Sequence, residues 1–113
     1  MINYNTKKFH AIANTSNGET TAETIFNYSQ NGNIVTATYA GGNIVQGQLI
    51  GIVDNEGNID MRYQQLNVKG ALMTGVCVSK PEIIEGGKIR LHESWQWTCG
   101  DKAMGESIIE EID

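Results

Sequence analysis

The sequence predicts an all-β protein, an eight-stranded antiparallel up-and-down meander that closes into a small barrel. Turn-forming pairs such as Asn17-Gly18, Asn31-Gly32 and Gly41-Gly42 recur along the whole chain. Glycine, and asparagine before it, adopt the positive φ that tight hairpin turns require. The segments between these turns are rich in β-branched and aromatic residues, and they alternate apolar and polar residues with a period of two.

Seven turns of this kind separate eight runs, and each run is long enough for one strand. None of them shows the three-four spacing of an amphipathic helix. The eight runs are Lys7–Asn14, Thr21–Gln30, Ile34–Ala40, Asn43–Val53, Ile59–Asn67, Leu72–Lys80, Lys88–Thr98 and Met104–Ile112.

In the first four runs the alternation predicts one apolar face per strand. In the fourth run that face is interrupted by Gly47 and Gly51, which indicates a strongly coiled strand or the close approach of a bulky neighbour. The residues predicted to share a face are Phe9, Ala11 and Ala13, then Phe26 and Tyr28, then Val35, Ala37 and Tyr39, then Val45, Gly47, Leu49, Gly51 and Val53.

In the last four runs the predicted faces carry more polar residues. Pro81 is expected to end the sixth run, because proline has no N–H to donate to a neighbouring strand. The residues predicted to share a face are Ile59, Met61, Tyr63 and Gln65, then Met73, Gly75, Cys77 and Ser79, then Ile89, Leu91, Glu93, Trp95 and Trp97, then Ser107, Ile109 and Glu111.

The short connections predict that consecutive strands are antiparallel neighbours. An open meander would leave two exposed edges, whereas closure into a barrel removes both. The predicted architecture resembles the calycin type of barrel, which includes lipocalins and streptavidin. The alternative is a curved sheet or half-barrel that completes its core by forming a dimer.

Length, net charge and cysteine content indicate which classes of protein this chain can belong to. The 113 residues predict a single domain over residues 1–113. A net charge of −5 argues against a nucleic-acid partner or an anionic membrane surface, because both require clusters of lysine and arginine. No signal-like or membrane-spanning run is present, and the two cysteines, Cys77 and Cys99, are far apart in sequence, so we expect a cytoplasmic protein with reduced thiols.

The seventh run, KIRLHESWQWT, carries both tryptophans of the chain and one carboxylate on the same face. Trp95 and Trp97 either fill the core or wall a ligand cavity. An inward Glu93 must be paired or protonated, because a bare buried carboxylate is costly. Predicted partners are Arg62, Arg90 or a tyrosine hydroxyl, and Glu111 is a candidate second carboxylate.

No motif for metal, cofactor or covalent chemistry is found. The two histidines, His10 and His92, lack the spacing of a metal site, and His92 falls on the face opposite the tryptophans. Cys77 and Cys99 are not part of a Cys-His pattern for nucleophilic catalysis. We therefore predict no metal and no cofactor.

Several runs of the sequence resemble a family of small bacterial proteins of about this length. The shared patterns are Y-x-G-G, G-x-L-I-G, M-R-Y-Q, L-M-T-G-x-C and E-x-W-Q-W-T-x-G-D, and they extend from about Phe26 to Glu111. Carried onto this chain, the resemblance implies seven possible site residues: Tyr39, Arg62, Tyr63, Cys77, Glu93, Trp95 and Trp97.

Members of that family are often labelled N-acetylglutamate synthase. An acetyl-CoA-dependent acetyltransferase needs a Gln/Arg-x-x-Gly-x-Gly/Ala loop that leads into a helix and holds the pyrophosphate. The nearest match is Gln48–Val53, which ends in valine and lies in a predicted strand. The residues therefore predict no acetyltransferase.

Three functions are compatible with these residues. The first is a non-enzymatic barrel, monomeric or homodimeric, that binds a small, partly apolar molecule through Trp95 and Trp97, with Tyr39, Tyr63, Arg62 and Glu93 orienting polar groups. The second is an isomerase, hydrolase or dehydratase with Glu93 as general acid or base. The third is a barrel filled by its own side chains that acts through an outer face or a dimer interface.

Overall fold

A computed structural model describes residues 2–112, and its strands form a closed barrel. Every strand pairs antiparallel with the next, and β1 pairs with β8, which closes the sheet. The predicted eight-stranded antiparallel barrel is therefore confirmed, in preference to an open half-barrel. The strands are β1 Lys8–Asn14, β2 Ile25–Asn31, β3 Ile34–Gly41, β4 Ile44–Val53, β5 Ile59–Asn67, β6 Leu72–Ile83, β7 Ile89–Trp97 and β8 Met104–Glu111.

A short 3₁₀ turn, Glu85–Gly87, is the one helical element of the part of the chain that the structure describes. It joins β6 to β7. No helix within residues 2–112 is long and apolar enough to cross a membrane.

The period-two pattern places the core inside the barrel, as the sequence predicts. Alternate residues of each strand are buried, and those between them are mostly exposed. The largest fully enclosed apolar side chains are Tyr4, Tyr28, Phe9, Ile59, Leu91, Ile109 and Val35.

Two β-bulges change the predicted faces. The register of β4 against β5 shifts between Ile44 and Gln46, so Ile44 is 2% exposed and Val45 is 53% exposed, the reverse of the prediction. The register of β1 against β8 shifts between Ala11 and Ala13, which leaves Ala13 exposed. A bulge adds one residue on one strand and inverts the alternation beyond it.

The prediction that Pro81 ends the sixth strand is wrong. β6 continues to Ile83, and Pro81 is paired with Leu91 of β7. The backbone N–H of Ile84 donates to Lys88 O at 2.8 Å, so alternation points the Pro81 nitrogen away from β7. On that other side the pairing with β5 has already ended, at Ser79. The missing N–H of proline therefore costs no ladder hydrogen bond.

The two ends of the barrel differ. At one end the N-terminal segment folds across the opening, where the fully buried Tyr4 donates its hydroxyl to Gly57 O at 2.5 Å and its backbone N–H to Gln30 Oε1 at 2.8 Å. The other end carries the β1–β2, β3–β4, β5–β6 and β7–β8 connections. We call this second end the mouth.

Glycines make room for aromatic rings on the inner face near the mouth. A Cβ added at any of three glycines would collide with the ring of the residue directly paired with it on the adjacent strand. Of the two alternatives that the sequence left for Gly47, a strongly coiled strand or a bulky neighbour, the structure shows the bulky neighbour, the Tyr39 ring. The pairs are Gly47 with Tyr39, Gly75 with Tyr63 and Gly105 with Trp95.

Replacing Gly47 by alanine is expected to lower the free energy of unfolding by about 1–3 kcal/mol, because the new methyl group displaces the Tyr39 ring in a packed interior. Urea denaturation measures this loss. The matched control is Gln48→Ala on the outer face of the same strand, where a change within about 0.5 kcal/mol is expected. Equal losses for the two variants would contradict the proposed packing.

Candidate binding pocket

A small cavity of about 50 Å³ lies inside the barrel near the mouth. Its walls come from all eight strands, and residues 18–20 of the β1–β2 connection also line it. The lining residues are Asn14, Gly18, Glu19, Thr20, Phe26, Tyr39, Leu49, Met61, Tyr63, Gln65, Cys77, Glu93, Trp95, Trp97 and Ser107.

Aromatic rings form much of the wall. The centroids of the Trp95 and Trp97 rings are 5.3 Å apart at an interplanar angle of 55°. The Tyr63 ring meets Trp97 edge-on at 5.9 Å. Contacts of this kind between aromatic rings are favourable beyond the area they bury, so they hold the rings in fixed positions.

The half-buried Glu93 carboxylate lines the pocket and is held there by two serine hydroxyls. Ser79 Oγ donates to Glu93 Oε2 at 3.0 Å, and Ser107 Oγ donates to Glu93 Oε1 at 3.0 Å. This follows directly from the register, since Glu93 of β7 is paired with Ser79 of β6 on one side and with Ser107 of β8 on the other. All three residues point inward.

The predicted partners of Glu93 are wrong. Arg62 is on the outer face of the barrel, and Arg90 binds Glu110 at 2.7 Å. No tyrosine hydroxyl donates to Glu93 within the described residues; two serine hydroxyls take that role. Glu111 is not beside Glu93 either, because it lies at the opposite end of β8, where it binds Lys7 Nζ at 3.2 Å and the Ile89 N–H at 3.0 Å.

Burial raises the pKa of Glu93 from its usual 4.5 to about 7, although the hydrogen bonds from Ser107 and Ser79 act in the opposite direction. Desolvation disfavours the charged carboxylate, whereas donors that point at it favour the charge. Near neutral pH Glu93 is therefore divided between its protonated and ionised forms.

A hydrogen-bonded chain closes part of the mouth. Tyr39 Oη donates to Gln65 Oε1 at 2.8 Å, and Gln65 Nε2 donates in turn to Glu19 Oε1 at 2.8 Å. The other oxygen of Glu19 accepts from Asn67 Nδ2, also at 2.8 Å. Glu19 thus fastens the β1–β2 connection to the end of β5, and we call residues 15–24 the mouth loop.

Removing the Glu19 carboxylate is expected to loosen the mouth loop. In Glu19→Ala both amide donors lose their acceptor, so amide hydrogen exchange in residues 18–21 should accelerate about tenfold, the equivalent of about 1.4 kcal/mol and the low end of the range for bonds to a charged group. The control is Glu23→Ala, an exposed carboxylate of the same loop. Unchanged exchange in Glu19→Ala would contradict the fastening role.

Six of the seven predicted site residues come together in this pocket: Tyr39, Tyr63, Cys77, Glu93, Trp95 and Trp97. The seventh, Arg62, does not, because its side chain is 63% exposed and binds Asp60 at 2.8 Å on the outer face. His92 is also outside, where its Nε2 is 2.8 Å from Glu82 Oε1.

The sequence interpretation missed several residues of the pocket. The alternation already placed Gln65, Ser79 and Ser107 on the inner face. A polar residue on an inner face could have identified each of them as a site residue. Glu19 and Asn67 carried no such signal, because their positions depend on how the mouth loop folds over the barrel.

Cys77 is not disposed for nucleophilic chemistry. It is buried and free, and burial raises the pKa of its thiol, so the thiolate form is disfavoured. Among the described residues no group of three or more His, Cys, Asp or Glu side chains is arranged to hold a metal ion.

The sequence matches a protein family described as avidin-like protein over residues 2–112. No curated protein and no solved structure matches the chain. The family match agrees with the streptavidin-type resemblance of the barrel and gives no support to the N-acetylglutamate synthase label. Gln48–Val53, the nearest approach to an acetyltransferase loop, lies entirely within β4.

Proposed function

This chain belongs to the avidin-like protein family, and on that basis we propose that it binds a small, partly apolar molecule in the pocket at the mouth of its barrel. Binding of small molecules such as biotin is characteristic of the family. Function cannot be transferred from fold alone, so the pocket itself must support the proposal.

One observation carries the proposal. Both tryptophans of the chain line a single cavity that also contains the half-buried carboxylate of Glu93. Small-molecule sites combine apolar and aromatic walls with a few placed polar groups. A barrel that served only as a scaffold would be more stable with an apolar residue in place of Glu93, since burying a carboxylate is costly.

The size of the cavity limits the ligand. A volume of about 50 Å³ is far below the roughly 300–1,000 Å³ of sites for drug-sized ligands. It suits a compound, or the end of a compound, of about four non-hydrogen atoms, taking roughly 10–15 Å³ for each water-sized unit. A larger ligand would require the mouth loop to move.

A fragment screen by NMR tests the proposal. The indole N–H signals of Trp95 and Trp97 report directly on the pocket, and no other tryptophan is present to obscure them. We expect small fragments to shift both signals saturably, and we expect native mass spectrometry of freshly purified protein to detect any ligand retained from the cell.

Two matched variants show whether the fragments that shift the indole signals bind inside the pocket. Leu49→Phe adds a ring inside the pocket and should abolish the shifts, whereas Ile50→Phe adds the same ring to the adjacent residue on the outer face, where Ile50 is 58% exposed. If no fragment shifts the indole signals, or if Leu49→Phe leaves the shifts intact, the pocket is not a binding site.

The pKa of Glu93 supports a second candidate function, general acid–base catalysis on the bound molecule. A carboxyl with a pKa of about 7 is poised to exchange protons near neutral pH. Incubation of the fragment hits with the protein, followed by mass and NMR analysis of the products, tests this. Turnover that is lost in Glu93→Gln at ligand concentrations that saturate the variant would support catalysis, and chemically unchanged ligands would exclude it for those compounds.

A further inference from the structure

We propose that the pocket selects a cationic ligand, a small primary ammonium group. This inference rests on the proposed binding function and specifies the chemical class of the ligand. It depends on the charges that line the cavity, on the hydrogen-bonding capacity that remains unused there, and on the aromatic walls.

The charges around the cavity have one sign. Glu19 and Glu93 line it, and no lysine, arginine or histidine of residues 2–112 does. The chain as a whole carries a net charge of −5, which attracts cations toward it and repels anions. A carboxylate ligand would thus meet like charges with no basic partner inside the cavity.

Around Glu93 the serine hydroxyl groups have no spare protons, and the carboxylate has spare acceptor capacity. Ser79 and Ser107 already direct their hydroxyl protons at Glu93. Each carboxylate oxygen of Glu93 accepts one of these bonds and retains capacity for another, and Ser107 Oγ keeps its own lone pairs. A ligand group that pairs with the ionised Glu93 must therefore donate hydrogen bonds.

An unused acceptor is also found nearer the mouth. Tyr39 donates its hydroxyl proton to Gln65, and the Gln65 amide donates one of its two protons to Glu19. Asn14, which also lines the cavity, donates through Nδ2 to Thr20, whereas its buried Oδ1 accepts no hydrogen bond from the protein. An ammonium group has three donors and no acceptor, which complements this arrangement.

The aromatic walls add a further preference for positive charge. Five aromatic side chains line the cavity, and the faces of such rings carry negative partial charge that attracts cations. Trp97 contacts both Trp95 and Tyr63, so several rings converge on one small volume. Neutral apolar groups would also pack against these rings, but they would leave the charge and the remaining acceptor capacity of Glu93 unpaired.

Three probes of nearly the same shape test the charge preference: n-propylammonium, 1-propanol and propionate. Each is titrated against the protein at constant ionic strength and about pH 8, above the Glu93 pKa of about 7, with the indole signals of Trp95 and Trp97 as the readout. We expect n-propylammonium to bind at least about tenfold more tightly than 1-propanol, and propionate not to bind, because only the ammonium forms a charge-assisted pair with the half-buried Glu93 carboxylate.

Two variants locate the charge that is responsible. Glu93→Gln keeps the shape of the side chain but removes its charge, so n-propylammonium affinity should fall about tenfold or more. Glu106→Gln removes the same charge from the outer face of β8, one residue from Ser107, and should change affinity less than about twofold because exposed charges are well screened. Equal effects of the two variants would overturn the inference.

The remaining outcomes separate the two proposals. If 1-propanol or propionate binds as tightly as n-propylammonium and Leu49→Phe abolishes that binding, the pocket binds small molecules but does not select cations. If none of the three probes binds, cation selection is overturned, and the fragment screen decides independently whether the pocket binds anything.

Discussion

Replacing Trp95 by alanine is expected to lower the free energy of unfolding by about 3–5 kcal/mol, as for other large aromatic side chains removed from a core. Trp95 is 8% exposed, and its ring contacts Trp97 and covers Gly105 of the neighbouring strand. The loss combines the transfer of the indole to water with the cavity left behind, because a closed barrel cannot collapse freely into the gap.

Chemical denaturation monitored by circular dichroism measures this loss, with Trp95→Phe as the conservative control. The phenylalanine variant should lose clearly less, since it keeps a ring over Gly105. Gly105→Ala adds a further test: its Cβ collides with Trp95 in the wild-type protein, so its cost should be smaller in the Trp95→Ala background. Additive losses would contradict direct packing of Trp95 on Gly105.

The barrel could be predicted because its main determinants are local. Period-two alternation assigns each strand a buried face, and glycine-containing turns separate the strands. With short antiparallel connections and no second layer of secondary structure to cover the sheet, closure was the remaining way to protect both edges. These features required no knowledge of which residues touch across the sheet.

Details that depend on register could not be predicted. The bulge between Ile44 and Gln46 exchanged the faces of Ile44 and Val45, and nothing in the local pattern marked it. The serines that hold Glu93 come from two different strands, and they meet it only because Ser79, Glu93 and Ser107 are in register. Register in a closed sheet is set by all the strands together.

For Arg62 the period-two alternation of the strand and the resemblance to a family led to different predictions of its position. The alternation of β5 already predicts that Arg62 is on the opposite face from Met61 and Tyr63. In the structure Met61 is buried, Tyr63 is half-buried and Arg62 is exposed. Its inclusion among the site residues came from the family pattern, in which it is next to Tyr63. In the structure its guanidinium binds Asp60 on the outside, so the period-two rule was the better guide to position.

The pocket contains a residue, Glu93, that lowers the stability of the fold. The inward row of β7, which is otherwise apolar, contains the carboxylate of Glu93 with two serine partners from the neighbouring strands. Local departures from good packing are expected at functional sites, where the arrangement of polar groups matters more than stability. The position of Glu93 in a cavity that is walled by both tryptophans agrees with that interpretation.

The ionisation of Glu93 is expected to make the free energy of unfolding depend strongly on pH. Glu93 has a folded-state pKa of about 7, raised above the usual 4.5 expected for the unfolded chain. Between these two values the folded state holds a proton that the unfolded state has lost, so stability decreases as pH rises through this window. The contribution of Glu93 is fully present below about pH 4.5, and up to about 3 kcal/mol is lost above pH 7.

Glu93→Gln isolates this contribution, because glutamine has nearly the same shape and never ionises. Below pH 4.5 both proteins are neutral at this position and should be similarly stable. By about pH 8 the variant should be the more stable one by up to about 3 kcal/mol. Other titrating groups contribute equally to both proteins, so they cancel in the difference.

Urea denaturation of both proteins from about pH 4 to pH 8 measures this difference directly, with Glu106→Gln as the exposed control. A difference that grows through the window between 4.5 and about 7 would establish that Glu93 is desolvated in the folded state. A constant difference would mean that its carboxylate is solvated in the folded protein. In that case both the raised pKa and the charge selectivity of the pocket would lose their physical basis, because each requires an enclosed carboxylate.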